Sequence, residues 1–195
     1  MTVTTIIVNY NAGETLQQCV EALLKSKLQT QIAVVDNSSS DGSAEGLHKL
    51  FKDHPQVKFQ FNQLNLGFAP AVNSVARHTN TDWVLILNPD CIIEPDTLGR
   101  LTEAMESDSH AALAGPAVLG EDGKIQRATV RRFPAPWKSL MTASGIWRLG
   151  KWFPVFHGIE IDASKLTETA QECEAVSGAC MLIRRSALEQ VGYLD

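Results

Sequence analysis

The sequence predicts an α/β fold, a mainly parallel central sheet with helices on both faces. Three observations carry this. Apolar runs and amphipathic stretches alternate through the first half of the chain. Residues 83–87 are apolar at every position, as a central strand covered on both faces requires. Two apolar runs, 32–35 and 83–87, lead into acidic turns, at Asp36 and at Asn88-Pro89-Asp90. Repeated strand–helix–strand units imply parallel strands joined by right-handed crossovers, and such sheets take ligands at the carboxyl ends of their strands.

Taken in order, residues 4–9 read as the first strand. Residues 14–27 form an amphipathic helix with Leu16, Cys19, Val20, Leu23 and Leu24 on one stripe. Residues 31–36 are the second strand. The loop 37–43 is made of turn formers, with Ser43 as the cap of the next helix, whose face is Leu47, Leu50 and Phe51. Residues 57–61 alternate as a third strand. Gly67-Phe68-Ala69-Pro70 opens a helix through about residue 79, proline being tolerated in a first turn. After the fourth strand, 83–87, Glu94-Pro95-Asp96 begins a helix with Leu98, Leu101 and Met105 on one side.

The pattern then changes. Residues 111–119 and 124–130 flank Gly120-Glu121-Asp122-Gly123 and read as a hairpin. Residues 133–157 show no period, hold Trp137, Trp147 and Trp152, and are too long for an ordinary connection, so about 131–158 is expected to be a flap. Residues 174–184 return to strand, interrupted at Ser177-Gly178-Ala179, and 186–190 form a helix-like turn. The expected organisation is one domain over 1–195, with a nucleotide-binding half at 1–110 and an acceptor-side half at 111–195.

Composition narrows the function. A chain of 195 residues, 44% hydrophobic and 20% charged, suits a soluble globular protein. No apolar stretch approaches the roughly 18 residues that span a bilayer, and the N-terminus carries no signal-peptide pattern. Cys19, Cys91, Cys173 and Cys180 contain no Cys-x-x-Cys pair, against a zinc site or a disulfide framework and in keeping with a reducing cytoplasm. The five histidines show no ligand spacing. Seven of the 17 basic residues fall between Lys124 and His157, where there is no Asp or Glu. The rest of the chain therefore carries −12 of a net −5. A basic patch confined to one segment reads as a docking surface for something anionic.

The motifs point to phosphate and metal chemistry. Asp36, just past a strand end, either hydrogen-bonds a nucleobase or ribose, or caps the following turn with Asn37. Asp90 offers a carboxylate to Mg²⁺ or Mn²⁺, whose shell phosphate oxygens would complete; Asn-Pro-Asp is also an ordinary turn. The glycine-led helix start Asn65-Leu66-Gly67-Phe68 presents free N–H groups to phosphate or sugar oxygens, or is a plain capped helix with Phe68 and Val72 in the core. The chain has no P-loop ending and no Gly-x-Gly-x-x-Gly after its first strand.

The ordered set Ile7-Val8-Asn9-Tyr10-Asn11, Val35-Asp36-Asn37-Ser38, Asn65-Leu66-Gly67-Phe68-Ala69, Leu87-Asn88-Pro89-Asp90 and Val176-Ser177-Gly178-Ala179-Cys180 resembles family 2 glycosyltransferases, most of all their rhamnosyltransferase-like branch, which builds bacterial surface polysaccharides. The resemblance covers essentially the whole chain and is weakest over 131–172. It implies the GT-A fold, a Rossmann-like sandwich, and an inverting transfer of sugar from a nucleoside diphosphate (UDP or dTDP) to a growing glycan or lipid-linked acceptor. By position it implies that Val8 and Tyr10 form the wall against the base, that Asp36 hydrogen-bonds the base, and that Asn65 and Gly67 border the nucleotide. Asn88 and Asp90 stand where the family has Asp-x-Asp, with Asp90 the carboxylate for Mg²⁺ or Mn²⁺. The departure is Asn88, a neutral residue that still offers a carbonyl oxygen. Ser177 and Gly178 would border the sugar and acceptor pocket. The family's catalytic base lies in a Glu-Asp pair shortly after a Gly-x-Leu-Asp segment, which here is Gly192-Tyr193-Leu194-Asp195. The base is thus expected beyond Asp195, and the chain reads as truncated at its C-terminus. Further expectations are peripheral contact with an anionic membrane through 124–157, a cytoplasmic location at the inner face of that membrane, and no nucleic-acid partner. The rival readings are a non-catalytic nucleotide-sugar-binding fragment and a nucleotidyltransferase; the latter lacks the basic residue its first loop needs, since 9–14 holds none.

Overall fold

A computed structural model describes residues 2–120, 122–126, 129–131, 144 and 169–195. Most of the flap expected at 131–158 and most of the basic segment lie outside the described residues. The chain forms two compact units, Met1–Ala114 with Gly178–Asp195, and Gly115–Ser177.

The first unit runs β1 (Val3–Asn9), α1 (Thr15–Leu24), β2 (Thr30–Asp36), α2 (Ser43–Phe51), β3 (Val57–Phe61), α3 (Phe68–Ala76), β4 (Trp83–Leu87), α4 (Thr97–Ser107) and β5 (Leu113–Ala114). The second unit contributes β6 (Val130–Arg131) and β7 (Ala175–Val176), before the chain returns with β8 (Cys180–Arg184) and α5 (Arg185–Val191). The main sheet has the order β3-β2-β1-β4-β8-β5. Strands β1 to β4 are parallel, and β8 and β5 run antiparallel to their neighbours.

Strand periodicity sorts the core into two layers. On one face Val3, Ile7, Val34, Leu85, Leu87 and Leu182 pack with Leu16 and Leu23 of α1, Leu47 of α2, and Leu98 and Met105 of α4. On the other, Ile6, Val8, Val35, Val84, Ile86 and Ile183 pack with Ala71, Val72 and Ala76 of α3 and Leu188 of α5. Neighbouring residues point to opposite faces, so β1 and β4 are buried throughout, as the all-apolar run of β4 requires. Helices therefore cover both faces, and the expected α/β architecture stands.

Local details differ from the sequence reading. The hairpin turn expected at residues 120–123 forms, with Gly123 N donating to Gly120 O (2.9 Å), Gly120 N to Lys124 O (2.8 Å) and Gln126 N to Val118 O (2.8 Å), but its arms meet in one bridge, Leu119 with Ile125, rather than as long strands; β5 pairs with β8, and β6 with β7. Ser43 does not cap α2: Gly42 precedes the helix in the left-handed region (φ 78°), and Asp41 Oδ1 accepts from Ser43 N (3.0 Å) and Ser43 Oγ (2.6 Å). Asp has the longer reach and holds the turn from two positions earlier. Helix α1 spans Thr15–Leu24, shorter than 14–27, and α3 stops at Ala76, with the Thr79 hydroxyl engaged by Thr4 and Thr81. The Cys19 side chain is fully buried in the α1 stripe as expected. At the far end of α4, Arg184 donates to the carbonyls of Met105 (3.0 Å) and Ala111 (3.3 Å) while its guanidinium lies 4.6 Å over the Trp83 ring.

Candidate functional site

The carboxyl ends of β1, β2 and β4 open onto a cleft of about 570 Å³, lined by Val8, Tyr10, Ala12, Thr15, Asn37, Asn65, Gly67, Phe68, Asn88, Pro89 and Asp90. Strand order explains the place. β2 and β4 flank β1, so their ends stand two strand spacings, roughly 10 Å, apart across the mouth of the sheet. The cleft thus brings together Val8, Tyr10, Asn65, Gly67, Asn88 and Asp90 of the residues singled out from sequence. Asp36, Ser177 and Gly178 are not among its lining residues. Ser177 belongs to the second unit, where its N–H donates to Thr129 O at 2.9 Å, and Gly178 begins the returning segment of the first.

Asp36 is 4% exposed because its register partner across β1–β2 is Asn9. Asn9 Nδ2 donates to Asp36 Oδ1 at 2.8 Å, Ser39 Oγ donates to the same oxygen at 2.6 Å, and Ser39 N donates to Oδ2 at 3.0 Å. Asn9 Nδ2 also lies 3.0 Å from Ser39 Oγ and 2.9 Å from Ser43 Oγ. The next loop joins in: Asn11 Oδ1 accepts from Ser40 N (2.8 Å), and Asp41 Oδ2 accepts from Gly13 N (2.8 Å). These bonds tie the loop after β1 to the loop after β2. The Ser43 hydroxyl, chiefly, holds the Asp41 carboxyl below the usual aspartate range.

Asn37 works on the other side. Its Nδ2 donates to Gly67 O (3.0 Å) and its Oδ1 accepts from Asn62 Nδ2 (2.9 Å), which fixes the β3–α3 loop against β2. Gly67 N in turn donates to Asn65 Oδ1 (2.9 Å). Gly67 sits at φ 86°, ψ 170°, a conformation essentially reserved for glycine. The first turn of α3 therefore enters the cleft lip with N–H groups that a helix cannot satisfy internally.

Asp90 lies in a β-turn closed by Cys91 N donating to Asn88 O at 3.1 Å, with Pro89 at the favoured second position. Asn88 N donates to Ala179 O at 2.9 Å, which extends the β4–β8 pairing into the turn. The Asp90 carboxylate is exposed and makes no hydrogen bond or ion pair among the described residues. Cys19 Sγ donates to Asn88 O at 3.6 Å. Burial raises the Cys19 thiol, and Cys91, Cys180 and Asp90 add to the rise. Burial and then Asp90 push Cys91 up to about 11, and burial and then Cys91 push Cys180 to about 12. These thiols stay protonated at neutral pH and are poor nucleophiles.

No group of three or more His, Cys, Asp or Glu side chains gathers as a metal cage among the described residues. One free carboxylate with the Asn88 amide on the same turn does suit a hard cation such as Mg²⁺, which is commonly held by one or two carboxylates plus substrate phosphates. Sequence reasoning gave Asn9 and Asn62 no bracing role and gave Asn37 only the following turn, not the β3–α3 loop it holds. A signal existed for Asn9, a polar residue closing an apolar strand, since a buried amide must find partners.

Comparison with known proteins agrees with this architecture. The family model described as Glycosyl transferase family 2 matches residues 4–192. The chain is 26% identical, over 97% of its length, to the N-acetylglucosaminyl-diphospho-decaprenol L-rhamnosyltransferase of Mycobacterium tuberculosis, covering 64% of that protein. It is 24% identical, over 95% of its length, to the poly-β-1,6-N-acetyl-D-glucosamine synthase of Staphylococcus epidermidis, covering 40% of that protein. The chain thus spans less than two thirds of these curated relatives. Among solved structures, the mannosyltransferase PcManGT from Pyrobaculum calidifontis, in complex with GDP-Man and Mn²⁺, superposes with a TM-score of 0.60 at 18% identity, over 99% of this chain and 47% of that one. S. aureus TarS 1–349 in complex with UDP-GlcNAc gives 0.61 at 15% identity, over 100% of this chain and 49% of that one. These likenesses show the fold, which is GT-A.

Proposed function

Because the chain belongs to glycosyl transferase family 2, we propose that it binds a nucleoside-diphosphate sugar, UDP- or dTDP-linked, for inverting transfer to a growing glycan or lipid-linked acceptor. Rhamnose is the donor sugar favoured by the likeness to the mycobacterial L-rhamnosyltransferase. The observation that carries the proposal is the pairing, in one cleft, of an exposed aromatic ring at Tyr10 with a carboxylate at Asp90 that has no bonding partner among the described residues.

In this reading the base lies against Val8 and Tyr10. Asp36 retains one acceptor position on Oδ2 for a base N–H, while Asn9 and Ser39 fix its orientation. The ribose and diphosphate follow the lip formed by Asn65, Gly67 and the first turn of α3, whose N–H groups favour anionic oxygens. Asp90, helped by the Asn88 amide oxygen, would hold Mg²⁺ or Mn²⁺ against the diphosphate. A bound divalent ion there supplies charge neutralisation for the departing nucleoside diphosphate. Ser177 and Gly178 are proposed to border the sugar. Inversion also needs a base to take the acceptor hydroxyl proton, and no residue of these 195 is assigned that role.

Asp90→Ala tests the proposal directly. Titration calorimetry with UDP should show tighter binding in the presence of Mn²⁺ for the parent chain and loss of that increment, about ten-fold or more, in the variant. Since Asp90 is exposed, the thermal midpoint should hold. A Mn²⁺ increment that survives the substitution removes Asp90 from the metal site. Turnover of this chain beside a longer polypeptide containing it separates a complete transferase from a donor-binding piece.

A further inference from the structure

Helix α3 lays one apolar stripe on the sheet. Ala71, Val72 and Ala76 are buried in the layer that holds Ile6, Val8 and Val35. Helical spacing puts Phe68 on the same stripe, three residues before Ala71 and four before Val72. Yet Phe68 is 43% exposed. The cause is strand length. α3 joins two parallel strands, so it runs back against their direction and its first residue stands nearest the carboxyl edge. β1 ends at Asn9 and β2 at Asp36, and the ring of Phe68 faces the cleft instead of a strand. The core place that spacing alone assigns to Phe68 is thus a cleft place.

Two exposed rings therefore border one cleft: Tyr10, at 55% exposure, follows Val8 by two positions, and Phe68 opens α3. The second ring is held firmly. Gly67, its chain neighbour, accepts from Asn37 Nδ2 at 3.0 Å, and Asn37 directly follows Asp36. One hydrogen bond thus ties the start of α3 to the strand end that carries the Asp36 carboxylate.

We propose that Phe68 is a second aromatic wall for the nucleobase, across from Tyr10, so that ring contact holds the base on both faces while Asp36 takes its N–H edge. The inference rests on the donor reading above and adds a binding residue to it. A base is the part of the donor that suits two rings, being flat with a π-face on each side, whereas the diphosphate is charged and wants N–H groups and metal. Stacking accepts any base, so uracil and thymine meet the Phe68 ring equally well.

The test is titration calorimetry of UDP, with and without Mn²⁺, on the parent, Phe68→Leu and Phe68→Tyr. Leucine keeps an apolar side chain and removes the ring. UDP should then bind about ten-fold more weakly, as loss of one base–aromatic stack predicts, with the Mn²⁺ increment unchanged. Tyrosine keeps the ring and should stay within about two-fold of the parent. UDP carries no sugar, so a loss seen with it cannot come from a sugar contact. In the parent, with Mg²⁺ in place of Mn²⁺, NOEs should join the Phe68 ring to H5 and H6 of the uracil, a readout that needs no variant to fold. Unchanged UDP affinity in Phe68→Leu, or a parent without those NOEs, overturns the inference and leaves the donor reading standing. Loss of the Mn²⁺ increment in Phe68→Leu also overturns it, because the ring then acts through the diphosphate lip. A parent that binds neither UDP nor dTDP with Mn²⁺ removes the donor reading and this inference with it.

Discussion

Replacing Asn9 with alanine removes one side chain from the seam between two loops, and its cost can be worked from the bonds it makes. Asn9 is fully buried, and its Nδ2 lies within 3.0 Å of Asp36 Oδ1, Ser39 Oγ and Ser43 Oγ. An amide has two protons, so two of these contacts count at a time. The bond to the carboxylate is worth about 1.5–3 kcal/mol and the neutral one about 1 kcal/mol. Asp36 keeps its bonds to Ser39, so it is weakened rather than stranded. The expected loss is about 3 kcal/mol, which in a chain of this size lowers the thermal midpoint by roughly 6–12 °C. Amide exchange adds a local signature: Gly13 and Ser40, which donate across the seam, and Ser39, which donates to Asp36, should exchange faster while β4 stays protected. A midpoint within 2 °C of the parent, the order expected for well under 1 kcal/mol, would refute the claim that this amide braces the cleft.

Three further outcomes follow from other features. Gly67→Ala should cost about 1–3 kcal/mol in urea unfolding and weaken UDP binding, because φ 86° with ψ 170° strains any residue bearing a Cβ even though the nearest atom to that Cβ, Pro70 Cδ, is 3.9 Å away; parent-like stability would show that the loop relaxes. The Asp41 carboxyl is held below its ordinary 3.8 when folded, so its contribution is complete above that pH and fades as pH falls through the depressed value. Asp41→Asn should therefore lower the midpoint at neutral pH and flatten the acid limb of the midpoint–pH curve, whereas parallel curves would assign the acid limb to other carboxylates. Maleimide labelling at neutral pH should modify exposed Cys173 first, half-buried Cys91 more slowly, and Cys19 and Cys180 only on unfolding, with mass spectrometry of early time points as the check.

The parallel half of the fold was legible because its cause is local. An all-apolar β4 and the 3.6-residue stripe of α1 each name their own burial, and the carboxyl-edge position of Asp36 and Asp90 follows from strand direction alone. What could not be read depends on pairing between distant segments. The two-residue strands β5, β6 and β7 carry too few side chains to show a period, so their partners β8 and each other are invisible in the sequence. The same holds for the site. Asp36 reads either as a base ligand or as a turn cap until the β1–β2 register sets Asn9 beside it and Ser39 N is found donating to its Oδ2, and Asn37 and Asn62 look like ordinary turn residues until the loop they fasten is seen. Asp90 stands as the sequence places it, exposed at the carboxyl edge of β4 with no bonding partner among the described residues.

Strand β8 runs against its neighbour, and this reversal couples a remote stretch of chain to the cleft. A parallel strand beside β4 would start at the opposite rim of the sheet. Instead β8 begins at Cys180, opposite Leu87, and the carbonyl just before it, Ala179 O, receives the N–H of Asn88. A shift of this strand's first residues by even one hydrogen-bond length would tilt the turn on which the Asp90 carboxylate rides. The acidic turn is thus seated partly by the first residues of β8, so a substitution that unpairs Ala179 reaches Asp90 through one backbone hydrogen bond.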